Sequence, residues 1–337
     1  MERAEAYGPQ SPSRATLLVA ASLLGMLSGA CADGMSDGRT TPVDKSPAQG
    51  GQVQAGDPAS CQPPDVLFTL DRTLSMAVPP DGSFPDFNDP ALRQNQTKWG
   101  IANQAVKDLT QILSSTIRPG LALFPRDPGP DSEGQPCIFL RRQMMNRKFN
   151  HDGGGGTVVP ARNTQCEAGE ILVPPAPEGA MTIANAIGTD STRLCRSTPI
   201  AAAMQTAATG LANVAAAGRP QFVVLVTDGG DSCDPTEIPA AQSASTQQVQ
   251  ALAAAGIKTY VISFSGTAVN AERLNHLACA GRTVADLDTH CEKDAQGNYF
   301  ARAGEAPLYL AAQDQNSLQT ALRSIAGEVC CNCAGLI

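Results

Sequence analysis

Asp65-Val66-Leu67-Phe68-Thr69-Leu70-Asp71-Arg72-Thr73-Leu74-Ser75-Met76 decides the fold. Its first six residues form a short, largely apolar run, as expected of a strand buried on both faces of a parallel sheet. The run ends on a carboxylate, Asp71, and hydroxyls follow at Thr73 and Ser75. Comparable runs stand at Leu121-Ala122-Leu123-Phe124, at Phe222-Val223-Val224-Leu225-Val226-Thr227 and at Thr259-Tyr260-Val261-Ile262-Ser263-Phe264. Helical spacing fills the intervals. From Lys98 to Leu113 the apolar residues Ile101, Ala105, Leu109 and Ile112 recur on one face. Pro199 to Val214 is Ala-rich, with Pro at a first helical position. Gln247 to Ala255 stops at Gly256 before the next strand, and Gln315 to Val329 aligns Leu318, Leu322 and Ile325. The alternation predicts an α/β fold of the doubly wound, Rossmann-like kind, a mostly parallel central sheet flanked by helices. Ligands of such sheets bind at the carboxyl ends of the strands.

The 337 residues allow one large domain or two ordinary ones, and 42% hydrophobic against 17% charged residues argues against wholesale disorder. Only 4% of residues are aromatic, while 31 Gly and 25 Pro imply many turns and long loops. The net charge of −8, with no block of Lys or Arg, disfavours nucleic acid as a partner. Eleven Cys is high for a cytosolic protein and odd in number.

The first thirty residues account for the odd cysteine. Leu17 to Leu27 is apolar and preceded by Arg14, too short to span a bilayer but suited to the core of a secretory signal peptide. Leu27-Ser28-Gly29-Ala30-Cys31 resembles a bacterial lipobox, with Ser28 where that pattern usually has Leu. The resemblance implies acylation of Cys31 and a lipid anchor. The alternative is ordinary cleavage after Ala32, with Ala30-Cys31-Ala32 as the small-x-small site. Either way Cys31 is set apart and the other ten can pair in an oxidising compartment. Residues 1–31 are therefore expected to be a signal segment. Residues 32–60, rich in Gly, Asp, Ser, Pro and Gln, are expected to be a flexible tether.

Chemistry gathers at the expected strand ends. Asp71, Thr73 and Ser75 follow the first strand, Thr227-Asp228-Gly229 follows another, and Ser197-Thr198-Pro199-Ile200 precedes the Ala-rich helix. A carboxylate with hydroxyls two and four residues on offers several hard oxygens once the chain curls. Such a set suits Mg²⁺ or Mn²⁺ and not Zn²⁺. Taken alone, each fragment also reads as an ordinary turn or helix cap.

In this order, on the ends of apolar strands, the fragments resemble the von Willebrand factor A (vWA) domain. That family's metal-ion-dependent adhesion site uses Asp-x-Ser-x-Ser, then a Thr, then an Asp, and those roles carry over to Asp71, Thr73, Ser75, Thr198 and Asp228. Lys98-Trp99 and Thr198-Pro199-Ile200 also look like vWA sequence. Thr73 departs from the pattern by replacing the first Ser; it keeps the hydroxyl and adds a methyl that crowds the loop. The resemblance covers Asp65 to Val329. It implies a divalent cation with one open coordination position, filled by an acidic residue of a protein partner.

Enzymes fit less well. Phosphotransferases of the haloacid dehalogenase type place a catalytic Asp at the end of a first strand, but they need a second acid two residues later, where Thr73 stands. No Gly-x-Ser-x-Gly elbow, His-Glu-x-x-His helix or phosphate-cradling Gly-Lys loop is present. His151, His276 and His290 have no matching partners and read as surface or packing residues.

Residues 126–179 are long for a connection, with Gly153 to Gly156 and with Cys137 and Cys166; a disulfide-pinned excursion near the site is one expectation, a solvated loop the other. Asp286, Asp288, Glu292 and Asp294 lack EF-hand spacing and read as an acidic hairpin, while Asp231 and Asp234 read as solvated turn acids. The disulfide candidates are Cys61, Cys137, Cys166, Cys195, Cys233, Cys279, Cys291, Cys330, Cys331 and Cys333. Since vWA termini lie close together, the resemblance implies that Cys61 pairs with one of the last three. The expected protein is an exported vWA-domain lipoprotein of the bacterial cell envelope, periplasmic or at the cell surface. Its domain spans residues 61–333, and it binds a protein through the metal without being an enzyme. The rivals are a structural envelope lipoprotein with a vestigial site and a metal-dependent phosphohydrolase.

Overall fold

The computed structural model describes residues 62–81, 96–128, 137–139, 166, 168–188, 193–195, 197–233, 239–264 and 271–330. The signal segment with Cys31, the tether, most of the 126–179 excursion, His151, Asp234, Cys61, Cys331 and Cys333 lie outside them.

Strands β1 (Asp65–Asp71), β2 (Arg118–Phe124), β6 (Gln221–Thr227) and β7 (Lys258–Phe264) form where the apolar runs predicted them. All seven residues of β1 are buried, as a central parallel strand requires. The sheet has six strands in the order β10-β7-β6-β1-β2-β4. Every pairing is parallel except that of β4 (Glu170–Val173), which runs antiparallel to β2 at one edge. The other edge is β10 (Leu310–Ala312). From β1 the chain crosses through α1 (Lys98–Ile112) to β2 on one side, whereas β6 and β7 lie on the other. The winding reverses between β1 and β6, so the crevice of this sheet opens above their carboxyl ends.

Alternation of side chains along β1 divides the core. Val66, Phe68 and Leu70 pack with Trp99, Ala102 and Val106 of α1 and with Leu318, Leu322 and Ile325, all buried. Leu67 faces the opposite layer, where Met204, Leu211, Val249, Leu252, Leu274 and Leu277 are buried. The first layer holds α1, α2 (Gly179–Ala186) and α7 (Gln315–Val329); the second holds α3 (Ile200–Ala212), α4 (Ala244–Ala254) and α5 (Ala271–Ala280).

Local chemistry explains where boundaries depart from the periodicity. Ile112 was expected on the apolar face of α1, yet it is 46% exposed, while Leu113 at the C-cap is 1% exposed and enters the core. The helix ends there, and its last turn swings the next residue inward. Pro199 is the N-cap of α3 and not its first helical residue. The fourth helix starts earlier than expected because the Ser243 hydroxyl accepts the Thr246 N–H and caps it. Gly256 adopts φ +82, the left-handed stop its position predicted.

Three disulfides join described residues: Cys137–Cys195, Cys166–Cys233 and Cys279–Cys291. The first bridges β3 (Cys137–Phe139) and β5 (Arg193–Cys195), an antiparallel pair in which the two cysteines are direct partners. The second ties residue 166 of the excursion to the loop after β6, and β4 shows that the end of the 126–179 stretch belongs to the central sheet. The third holds α5 against β8 (Cys291–Lys293), which pairs with β9 (Tyr299–Ala301) beyond the short helix α6 (Leu287–His290). Cys330 is also disulfide-bonded. Peptide mapping without reductant is expected to join Cys61 to Cys330, Cys331 or Cys333; recovery of Cys61 on any other cysteine would reject that pairing.

Candidate metal centre

The reversal between β1 and β6 brings Asp71, at the end of β1, beside Thr227 and Asp228, at the end of β6. Asp71 is fully buried. Its Oδ1 accepts the Thr73 N–H at 2.8 Å and its Oδ2 accepts the Thr227 hydroxyl at 2.6 Å. The first of these bonds curls the chain after β1 and turns the next two hydroxyls toward β6. Thr73 Oγ1 and Ser75 Oγ are 2.8 Å apart, and the Ser75 hydroxyl donates to Asp228 Oδ1 at 2.8 Å. Three of the five residues singled out in the sequence, Thr73, Ser75 and Asp228, thus form one chain of oxygens, and Asp71 joins it through the Thr73 amide. Burial, and after it the neighbouring Asp228 carboxylate, pushes the Asp71 carboxyl up to about 7, against the lowering effect of its bonds from Thr227 and Thr73.

Thr198 stands on the adjoining loop, 8% exposed. Its N–H donates to Ser232 Oγ at 2.8 Å and its carbonyl accepts the Ser232 N–H at 3.1 Å, locking it to the loop that carries Asp228. The Cys166–Cys233 disulfide ends on the same loop, and Cys195 donates its N–H to the Arg72 carbonyl.

The donor set can be tested against a cation. Mg²⁺ with oxygens at about 2.0–2.1 Å places neighbouring oxygens roughly 2.8–3.0 Å apart, whereas Ca²⁺ needs roughly 3.3–3.7 Å. The Thr73–Ser75 and Ser75–Asp228 contacts, both 2.8 Å, have the ordinary length of O–H···O hydrogen bonds, which is also close to the edge of an Mg²⁺ octahedron. Two carboxylates among hydroxyls are also the hard, mostly neutral donors that Mg²⁺ and Mn²⁺ favour. No group of three or more His, Cys, Asp and Glu side chains gathers among the described residues, so no zinc-type cage competes there.

Several neighbours escaped the sequence reading. Lys98 is 3% exposed, and its Nζ donates to Asp228 Oδ2 at 2.8 Å. Asp231, expected to be a solvated turn acid, is 8% exposed: its Oδ2 accepts the Ala201 N–H at 2.8 Å in the first turn of α3, and its Oδ1 accepts the Cys233 N–H at 2.8 Å. The positive end of a helix and two amide donors compensate its charge in place of water. Arg72 is buried, donates from Nε to the Pro125 carbonyl at 2.6 Å and pairs with Glu170 of β4 at 2.6 Å. It holds the loop after β1 to the far edge of the sheet. The signal for Arg72 and Asp231 was proximity to a motif residue and that for Lys98 was its place in the vWA-like Lys98-Trp99 pair, and neither reveals a partner across the sheet.

The remaining candidates serve the fold. His276 accepts the Ala301 N–H on Nδ1 at 3.0 Å, and His290 lies 2.9 Å from Glu305. Asp286 caps α6 by accepting the Thr289 N–H, and Asp294 closes the β8–β9 turn by accepting the Gln296 and Asn298 N–H groups. These are the roles of an acidic hairpin.

Residues 178–295 match the family model of the von Willebrand factor type A domain. The match runs from α2 to β8 and includes Thr198 and Asp228, but it begins after Asp71, Thr73 and Ser75. Among solved structures, the chain is similar to the conserved hypothetical protein BatB from Bacteroides thetaiotaomicron at 13% identity, covering 79% of this chain and 98% of that one with a TM-score of 0.41. It is similar to the manganese-loaded TRAP protein of Plasmodium vivax at 13% identity, with 77% and 72% covered and a TM-score of 0.42. The PilB minor pilin from Streptococcus sanguinis aligns at 14% identity, with 81% and 63% covered and a TM-score of 0.45. A comparison with curated proteins finds no match.

Proposed function

We propose that this chain is an exported vWA-domain protein, lipid-anchored through Cys31 in a bacterial cell envelope, that binds a protein partner through a divalent cation. Asp71, Thr73, Ser75, Thr198 and Asp228 would hold Mg²⁺ or Mn²⁺, and the ion, when bound, supplies a Lewis-acidic position for a partner's Asp or Glu carboxylate. The observation that carries this reading is the hydrogen-bonded cluster that gathers Asp71, Thr73, Ser75 and Asp228 at the reversal point of the sheet. The family match across residues 178–295 supports the same class. The chain's own residues position the donors: the Thr73 N–H and the Thr227 hydroxyl orient Asp71, and Ser75 is aimed by Asp228.

The burial of Asp71 weighs against phosphoryl transfer. A nucleophilic carboxylate must be reached by its substrate's phosphorus, yet this group is fully buried. The residue two positions on, Thr73, is also a poor general acid or base. A structural protein with a vestigial site is the second reading, and the Lys98–Asp228 ion pair favours it by compensating one carboxylate from within the chain.

Titration of the purified chain with Mg²⁺ and with Mn²⁺ tests the proposal. Wild type is expected to gain stability with concentration, about 2.7 kcal/mol at a hundred times the dissociation constant. Asp71→Ala is expected to lose that gain. Equal heats and equal thermal shifts in both proteins would reject the metal site.

A further inference from the structure

Lys98 sets its ammonium against one carboxylate of the candidate cation site, and the ion-pair geometry gives that placement a consequence. The ammonium lies 2.8 Å from Asp228 Oδ2, while Oδ1 of the same carboxylate lies 2.8 Å from Ser75 Oγ. One carboxylate therefore separates the ammonium from the hydroxyl pair. The charge cannot easily swing away, because the side chain of Lys98 is only 4% exposed and its residue begins α1. There Thr97 caps the helix by accepting the Gly100 N–H, and the Lys98 N–H donates to the Val78 carbonyl.

We propose that Lys98 is a resident counter-cation that weakens divalent binding and leaves the loaded site one positive charge in excess, selecting an anionic partner. The inference rests on the reading of Asp71, Thr73, Ser75, Thr198 and Asp228 as a divalent site. Asp71 and Asp228 together balance a bound divalent ion; the ammonium then adds one charge, which a single incoming carboxylate neutralises. In a buried, poorly screened setting a unit charge a few ångströms away changes cation affinity by at least about tenfold.

The test compares wild type, Lys98→Met, Lys98→Gln and Asp71→Ala, with Mn²⁺ alone as the cation probe and acetate as the carboxylate probe. Calorimetry is expected to show Mn²⁺ binding at least about tenfold tighter in Lys98→Met and Lys98→Gln than in wild type. Acetate, followed through the water-proton relaxation of bound Mn²⁺, is expected to bind the loaded variants more weakly than loaded wild type. Without metal, both variants are expected to melt earlier than wild type and to recover on adding Mn²⁺, because the ion takes over the compensation of Asp228. Mn²⁺ binding in the variants no tighter than in wild type overturns the inference, and the metal site still stands if wild type binds and Asp71→Ala does not. If wild type and Asp71→Ala respond alike while the Lys98 variants gain Mn²⁺ binding, the divalent reading of the wild-type site fails and the counter-cation role holds. Variants that stay unfolded even with Mn²⁺ show that the ion cannot replace the ammonium, and they too overturn it.

Discussion

Asp228→Ala is expected to destabilise the domain by about 3–5 kcal/mol, the range for removing one partner of a buried ion pair. In a domain of this size that lowers Tm by roughly 5–9 °C. The loss has two sources. Lys98, whose side chain is 4% exposed, is left with no carboxylate beside it, and Ser75 loses its carboxylate acceptor. Lys98→Met in the same chain removes the stranded charge, so the double variant is expected to recover part of the loss, and the cycle measures the coupling directly. The chain has one Trp, Trp99, which is fully buried next to Lys98, and its emission reports unfolding in every variant. A loss below about 1 kcal/mol, the range of exposed pairs, would mean that water reaches the pair and screens it.

Trp99→Ala is expected to cost a similar amount, about 3–5 kcal/mol, for a different reason. Trp99 is among the largest fully buried side chains and packs in the layer shared with Phe68, Leu70 and Leu322. Truncation leaves a cavity that α1, pinned at its start by the Thr97 cap, cannot close by shifting. Trp99→Phe separates packing from polarity. The indole Nε1 is buried without a hydrogen-bond partner among the described residues, so Phe removes that donor while keeping most of the apolar volume. Urea unfolding followed by circular dichroism is expected to rank wild type and Trp99→Phe close together, with Trp99→Ala well below. A cost for Phe equal to that for Ala would show that the indole donor matters in a way its burial does not suggest.

Both predictions concern residues that the sequence placed well without disclosing their work. Lys98-Trp99 was visible as a helix start that resembles vWA sequence. The partner of Lys98 lies 130 positions away, and only the sheet order brings it within reach. The same holds for Thr227, whose hydroxyl meets a carboxylate 156 positions away. Asp231 misled for a related reason. Its neighbours Gly229, Gly230, Ser232 and Asp234 describe a polar turn, and no local pattern shows that the start of α3 packs over that turn and offers it the Ala201 N–H.

What the sequence determined by itself is the four strands at the centre of the sheet, four of the helices and the chemistry at their ends. Apolar runs of strand length and the near-exact span of Gln315 to Val329 follow from the periodicity of buried faces, which is a local property of the chain. Asp71, Thr73 and Ser75 are also local, because a single Asp-to-amide bond curls their loop. The tertiary structure alone decided the strand order, the antiparallel edge at β4, the attachment of Cys166 beside Asp228 and the entry of Lys98 into the oxygen cage. The physical reason is that these contacts join segments whose own patterns are complete without each other. Periodicity states which face a segment must bury, and only packing of the whole sheet selects the segment that covers it.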